Sequence, residues 1–119
     1  MEERRQSGRW QIDKPVGVRP EGRAIPLECK IQDLSFKGLK INSPEEFQEG
    51  SILTLEIPLD NGVSLNAEAA VVWHNPQESG NICGLCFTRI KDQDKGHIYR
   101  YVHKNYKDQL IKQIWQGVC

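Results

Sequence analysis

Most of the chain consists of short runs in which hydrophobic and polar residues alternate, separated by Gly, Pro and Asn. Alternation of this kind indicates β-strands that bury one face. In residues 51–57, for example, Leu53, Leu55 and Ile57 share one face. The predicted strands are residues 16–18, 24–31, 38–41, 51–57, 63–74 and 82–90. Short strands with turns about every 8–12 residues predict a mostly β fold, either a small antiparallel barrel or a sandwich.

Turn residues mark the connections between these strands. The Asp-Asn-Gly sequence at 60–62 is a strong hairpin signal, since Asn-Gly supplies the positive φ angles of a type I′ turn. Residues 45–50 are predicted to form a connector and residues 75–81 a loop, because Pro and Gly interrupt the strand pattern there.

The C-terminal segment has a different period. Hydrophobic residues recur every four positions there, at Ile98, Val102, Tyr106, Leu110 and Ile114. This spacing predicts an amphipathic C-terminal α-helix over about residues 92–116. Between positions 89 and 114 there are seven basic residues and three acidic ones. The polar side of the helix is therefore either a solvated surface or a docking surface for an acidic partner.

Length and charge limit the classes of protein to which the chain can belong. Its 119 residues suffice for one hydrophobic core. Sixteen Lys and Arg balance sixteen Asp and Glu, which excludes binding to nucleic acid or membrane by bulk charge alone. The longest apolar runs are too short to span a bilayer, and the first residues lack the apolar stretch of a signal peptide. We expect a cytoplasmic protein without membrane insertion.

The cysteines and histidines do not predict a catalytic or metal site. Cys83 and Cys86 form a C-x-x-C pair, but no second pair of ligands stands at similar spacing. In a strand, residues three apart point to opposite faces, so these two thiols cannot face one metal. His74 ends a predicted strand without an evident catalytic partner, and no Ser-His-Asp set stands out. We expect no metal, no cofactor and no enzymatic activity.

Residues 1–15 are predicted to form a flexible arm, because they show neither helical nor strand period. The arm carries Arg4, Arg5 and Arg9. Arginines four apart in a flexible segment can reach one anion, and their planar guanidinium groups can stack on bases or pair with the edge of guanine. Alternatively, the arm supplies only solubilising charge.

A second candidate cluster is the sequence Asp-Leu-Ser-Phe-Lys-Gly at 33–38. Asp33 can accept hydrogen bonds from the N1–H and N2–H₂ of guanine, and Ser35 adds a hydroxyl group. Gly38 permits a backbone path that a side chain would block. Alternatively, this segment is a β-turn in which Asp33 and Ser35 bind their own backbone.

Taken together, these motifs resemble the PilZ domain family. Arg-x-x-x-Arg is followed by Asp-x-Ser-x-x-Gly at the end of a strand, and the strands at 70–73 and 81–87 are similar to the late strands of that family. The resemblance covers about residues 3 to 116 and departs from neither motif. It implies a small six-stranded antiparallel β-barrel with its C-terminal helix over residues 16–119, preceded by the flexible arm.

The resemblance also implies a function. PilZ domains are receptors for the bacterial second messenger cyclic di-GMP, so Arg5 and Arg9 would hold phosphate and guanine while Asp33, Ser35 and Gly38 hold the other side of the ligand. Arg4, directly before the pair, implies two intercalated cyclic di-GMP molecules. Ordering of the arm would then alter contact with a downstream protein or an attached domain. The alternatives are a ligand-independent protein-interaction module and a barrel that binds single-stranded nucleic acid.

Overall fold

Six strands and one helix make up the fold in the computed structural model, which describes residues 10–59 and 62–105. The elements are β1 (Trp10–Pro20), β2 (Leu27–Leu34), β3 (Gly38–Ser43), β4 (Ile52–Pro58), β5 (Ser64–Gln77), β6 (Gly80–Arg89) and α1 (Asp92–Asn105). All neighbouring strands are antiparallel, and they close in the order β1-β2-β3-β6-β5-β4. The predicted six-stranded antiparallel barrel with a C-terminal helix is confirmed.

The barrel interior is filled by the inward residues of each strand. Leu53, Leu55 and Ile57 of β4 are completely buried, as their alternation predicted. Phe47, from the connector between β3 and β4, and Ile98, from α1, belong to the same hydrophobic core. The helix therefore packs on the barrel through its apolar stripe and leaves its polar side outward.

The predicted C-terminal boundary of the arm is wrong. Residues 10–15 belong to β1, and Trp10 and Ile12 are each only 2% exposed. The buried positions of β1 do alternate, but the strand pattern is hard to recognise in the sequence because the polar Lys14 occupies one position of the inward series and Pro15 follows it. Residues 1–9, the remainder of the predicted arm, lie outside the described residues.

Two other predicted boundaries also differ. The loop predicted at 75–81 is mostly strand, because β5 continues to Gln77 and β6 begins at Gly80, whose φ of 140° suits glycine alone. The hairpin predicted at 60–62 is consistent with the pairing of Pro58 with Ser64, although residues 60 and 61 lie outside the described part. The predicted continuation of the helix to residue 116 also lies outside it.

Candidate ligand-binding site

A β-bulge in β2 turns Asp33 to the outside of the barrel. Strict alternation after Ile31 would point Asp33 into the core. However, Ile31 pairs with Ile41 and Asp33 pairs with Lys40, which leaves Gln32 as an extra residue in β2. Leu34 takes the inward position instead and is 1% exposed. The bulge thus places a carboxylate on the outer face, as bulges near binding sites often do.

A second bulge, in β5, has the same effect on Trp73. Val71 pairs with Leu85 and Trp73 pairs with Gly84, so Val72 is the extra residue. Trp73 consequently faces outward and remains 41% exposed. A β-carbon at Gly84 would overlap the indole ring, which shows that the ring lies against the Gly84 backbone. The lack of a side chain at position 84 makes room for an exposed aromatic surface.

The two outward-turned residues border one surface pocket of about 340 Å³. Its walls also include Lys37 and Lys40. The remaining lining residues are Gly38, Leu39, Val72, Gly84, Leu85 and Cys86. The pocket therefore combines a carboxylate, two ammonium groups and an indole, a set suited to a ligand with anionic groups and an aromatic base.

Asp33 lies at the buried edge of this pocket. Its side chain is 6% exposed, and Lys40 Nζ lies 3.6 Å from Asp33 Oδ2. Lys40 itself is 36% exposed. A buried carboxylate requires a charged or hydrogen-bonding partner, and Lys40 provides one across the β2–β3 pair. Asp33 is thereby held as an acceptor close to the pocket.

Ser35 organises the turn that follows Asp33. Its buried hydroxyl donates to the Gly38 carbonyl and accepts from the backbone N–H groups of Lys37 and Gly38, each at 3.2 Å. The Ser35 N–H also donates to the Gly38 carbonyl, at 2.8 Å. The turn interpretation is correct for Ser35, since the hydroxyl is occupied within the loop and Ser35 does not line the pocket. Ser35 therefore shapes the loop that follows Asp33.

Gly38 is required by the approach of β3 to β6. A β-carbon at position 38 would overlap the Leu85 carbonyl oxygen. The Phe87 N–H donates to the Lys37 carbonyl at 2.8 Å and holds the two segments together. Position 38 therefore has no room for a side chain, and the obstacle is the backbone of strand β6.

The start of β1 lies directly beside Asp33. Trp10 pairs with Leu34, and Gln11 pairs with Asp33. Arg4, Arg5 and Arg9 lie outside the described residues, but Arg9 is bonded to Trp10. Arg5 precedes Trp10 by five residues, which an extended chain spans in at most about 18 Å. The chain connectivity therefore limits how far these arginines can lie from the start of β1.

Trp10 also contacts the loop through its side chain. The Trp10 and Phe36 rings pack edge to face, with centroids 5.2 Å apart and an interplanar angle of 85°. None of the site residues predicted from the sequence was Phe36, Lys40 or Trp73. The order of residues contains no clear signal for them, because their positions depend on the loop turn and on the two bulges.

The remaining chemistry predictions concern cysteine and histidine. Cys83 is buried and Cys86 is exposed, so the predicted placement on opposite faces is confirmed. No three His, Cys, Asp or Glu residues within the described ranges are placed to hold a metal ion. His74 was predicted to end its strand, which is wrong because β5 continues to Gln77. Its Nε2 lies 3.1 Å from Glu46 Oε2. No helix in the described ranges is long and apolar enough to cross a membrane.

Comparisons with known proteins agree with the observed fold. The chain is similar in structure to the inhibitor of motility MotI/DgrA of Bacillus subtilis, with a TM-score of 0.76 and 20% identity over 90% of this chain; it spans 53% of the length of that protein chain. It is also similar to the PilZ domain with c-di-GMP of YcgR from Escherichia coli, with a TM-score of 0.73 and 14% identity over 93% of this chain and 98% of that one.

A third similar structure is the PilZ domain of CeSA from a cellulose-synthesizing bacterium, with a TM-score of 0.61 and 21% identity over 82% of this chain and 97% of that one. Among curated proteins, none matches the chain in sequence. The family model described as PilZ domain matches residues 3–104, which include the arginine motif, the whole barrel and nearly all of the described helix. The chain therefore belongs to the PilZ domain family.

Proposed function

We propose that this chain is a receptor for cyclic di-GMP, which binds in the pocket between Asp33 and Trp73 and is enclosed by the N-terminal arginines. The observation that carries the proposal is the pairing of Trp10 and Gln11 with Leu34 and Asp33. This register joins the arginine-bearing segment to the barrel at the edge of the pocket. The presence of c-di-GMP in the similar YcgR domain supports the identity of the ligand.

The proposed contacts follow from the chemistry of each group. Arg5 and Arg9 bind phosphate and guanine through their paired donors. Asp33 accepts hydrogen bonds from the N1–H and N2–H₂ of a guanine. Trp73 offers an exposed face on which a purine can stack. Ser35 and Gly38 shape the loop that presents Asp33.

The charges also match. Cyclic di-GMP carries two phosphates, and the chain as a whole is neutral. Lys37 and Lys40 line the pocket, and the three arginines precede it in the chain. Locally concentrated cations therefore supply the attraction that the net charge does not.

Binding is proposed to order the segment that carries the arginines. Residues 1–9 contain no periodic apolar positions with which to pack against the barrel. Fixing each residue costs about 1–2 kcal/mol of conformational entropy. Several charge-assisted hydrogen bonds, each contributing about 1.5–3 kcal/mol, offset this cost. The ordered segment then changes contact with a downstream protein or an attached domain, without catalysis and within the cytoplasm.

Arg4 bears on the number of ligands bound. We propose that Arg4 extends the cationic segment enough to hold two intercalated cyclic di-GMP molecules. A calorimetric titration tests this directly, because it reports stoichiometry together with affinity. Two ligands per chain are expected at saturation, and one ligand per chain would reject the intercalated pair while leaving the receptor function intact.

The deciding experiment is calorimetric titration of the full chain with cyclic di-GMP, with GTP and linear pGpG as controls. We expect saturable binding of cyclic di-GMP and much weaker binding of both controls. Absence of binding would reject the receptor function. A pull-down of partners that is unaffected by cyclic di-GMP would instead favour an interaction module, and oligonucleotide binding that falls steeply with salt would favour a nucleic-acid-binding barrel.

A further inference from the structure

The contact between Trp10 and Phe36 connects the two segments on which the proposed function rests. Trp10 is the first residue of β1 and follows Arg9 directly, whereas Phe36 lies in the middle of the 33–38 loop. Their rings pack edge to face at 5.2 Å, a geometry favoured by the aromatic quadrupoles. Neither residue lines the pocket. The contact is therefore not part of the pocket lining.

The start of β1 has few backbone pairing partners among the described residues. Only Trp10 and Gln11 pair with β2 before the bulge that separates them from Lys14. The pairing of β1 with β4 is confined to Gly17–Pro20, at the other end of the strand. Strand ends with few backbone partners open locally at low cost in free energy. Side-chain packing at Trp10 must therefore contribute much of what holds this end in place.

Phe36 is a firm anchor for that packing. The turn around it is closed by the Ser35 hydroxyl, which binds three backbone groups of Lys37 and Gly38. The Lys37 carbonyl accepts the Phe87 N–H from β6. Hydrogen bonds therefore fix the loop backbone on both sides of Phe36. The Phe36 ring consequently has a defined position against which Trp10 packs.

We propose that the Trp10–Phe36 contact is a positioning contact that fixes where Arg9 leaves the barrel relative to Asp33. It determines cyclic di-GMP affinity without touching the ligand. When the contact is removed, the first residues of β1 separate from β2 more often, and the arginines approach the pocket from a wider range of positions. Ordering them then costs more on binding.

The Trp10 side chain allows packing of its ring to be distinguished from hydrogen bonding by its Nε1–H group. Its Nε1 is buried and has no hydrogen-bond partner within the described residues. Among the described residues, the ring therefore contributes through packing and not through a hydrogen bond. Trp10→Phe keeps an aromatic ring against Phe36 and removes the unpaired donor, so this conservative variant should preserve affinity, whereas Trp10→Ala should not.

The test compares Phe36→Ala with Phe47→Ala in the full chain. Phe47 is a buried core phenylalanine that does not line the pocket, so its loss controls for general destabilisation. Ligand-free amide hydrogen exchange and calorimetric titration with cyclic di-GMP are measured below the melting transition of every variant. In Phe36→Ala we expect exchange of residues 10–11 to become about tenfold faster and affinity to fall about tenfold.

The controls should separate positioning from stability. Exchange of residues 16–18 should be unchanged in Phe36→Ala. Phe47→Ala should melt at a lower temperature, with affinity within about threefold of that of the unaltered chain. Trp10→Phe should keep both the exchange rate of residues 10–11 and the affinity close to those of the unaltered chain. Phe36→Leu, which keeps apolar volume, replaces Phe36→Ala if the latter does not fold.

Unchanged affinity in a folded Phe36 variant would overturn the proposal, and so would unchanged exchange at residues 10–11. If the unaltered chain does not bind cyclic di-GMP, the receptor function fails. The exchange measurement, which needs no ligand, would then still decide whether Phe36 holds the start of β1.

Discussion

The indole ring of Trp73 occupies the space that a side chain at Gly84 would fill. The two residues are cross-strand partners in β5 and β6, and both line the pocket beside Asp33. Trp73 remains 41% exposed although its ring lies against the outer surface of the barrel. Gly84 thus leaves space for the indole ring of Trp73 on the neighbouring strand, and the ring forms an aromatic surface of the pocket.

Replacing either member of this pair should weaken cyclic di-GMP binding. Trp73→Ala removes base stacking that contributes about 1–3 kcal/mol, so the affinity should fall roughly 5- to 150-fold. Gly84→Ala displaces the ring and should lower the affinity in the same direction. Trp73→Phe, which keeps a stacking face, serves as the control. Calorimetry that shows equal affinity for Trp73→Ala and the unaltered chain would remove Trp73 from the site.

Arg5→Ala and Arg9→Ala should each abolish detectable cyclic di-GMP binding, because each removes a bidentate, charge-assisted contact. Circular dichroism and the melting temperature should remain unchanged, since the described barrel begins at Trp10. Arg23→Ala is the matched control: Arg23 is exposed, does not line the pocket and pairs with Glu45 at 2.9 Å. Normal binding by both arm variants would refute the proposed mechanism.

Asp33→Ala should reduce affinity by about tenfold or more, because hydrogen bonds between a carboxylate and guanine contribute about 1.5–3 kcal/mol each. Asp13→Ala is a suitable control, since Asp13 also pairs with a lysine, Lys30 at 3.2 Å, but is largely exposed and outside the pocket. Titration calorimetry of both variants decides the matter. An unaltered dissociation constant for Asp33→Ala would exclude the carboxylate from ligand recognition.

Gly38→Ala should destabilise the fold itself. The new β-carbon would overlap the Leu85 carbonyl oxygen, and relief requires β3 to move away from β6. We expect a loss of about 3 kcal/mol in the free energy of unfolding, measured with urea. In Gly17→Ala the new β-carbon would stand 3.4 Å from Pro26 Cβ, so this control should change stability by less than about 1 kcal/mol. Equal stabilities would show that β3 tolerates a side chain at position 38.

Stability should decline in alkaline solution because of two buried thiols. Burial raises the pKa of Cys29 and of Cys83 above the ordinary value of 9.0. The folded protein therefore keeps these protons to higher pH than the unfolded chain. Their contribution to stability is complete below the unfolded pKa and is lost as pH rises through the folded values.

Urea unfolding at a series of pH values from 8 upward, with a reducing agent present, measures this loss of stability. The series begins below the pKa of a thiol in the unfolded chain, which is about 9. Cys83→Ala should make the decline shallower. Cys86→Ala should leave its slope unchanged, since Cys86 is exposed. If Cys83→Ala and the unaltered chain have the same slope, the buried thiol does not contribute to the decline.

Much of the fold was predictable from local pattern. In β4 the alternation of Leu53, Leu55 and Ile57 identified the buried face, because that strand pairs with both neighbours without a bulge. The period of α1 and the opposite faces of Cys83 and Cys86 followed from element geometry in the same way. The prediction failed at the start of β1, where the polar Lys14 and the following Pro15 interrupt the hydrophobic pattern although Trp10 and Ile12 are buried.

The candidate site, like the fold, was predictable only where local pattern defines the structure. The sequence by itself determined which motifs are present, and it offered a turn at residues 33–38 as one of two interpretations. The hydrogen bonds of Ser35 show that this turn forms. Only the tertiary structure decided that Asp33 and Trp73 face outward into one pocket, with Lys40 beside them. The physical reason is that a bulge is a property of two paired strands: the extra residues at Gln32 and Val72 are defined by the register with their neighbours, which the residues of one strand do not contain.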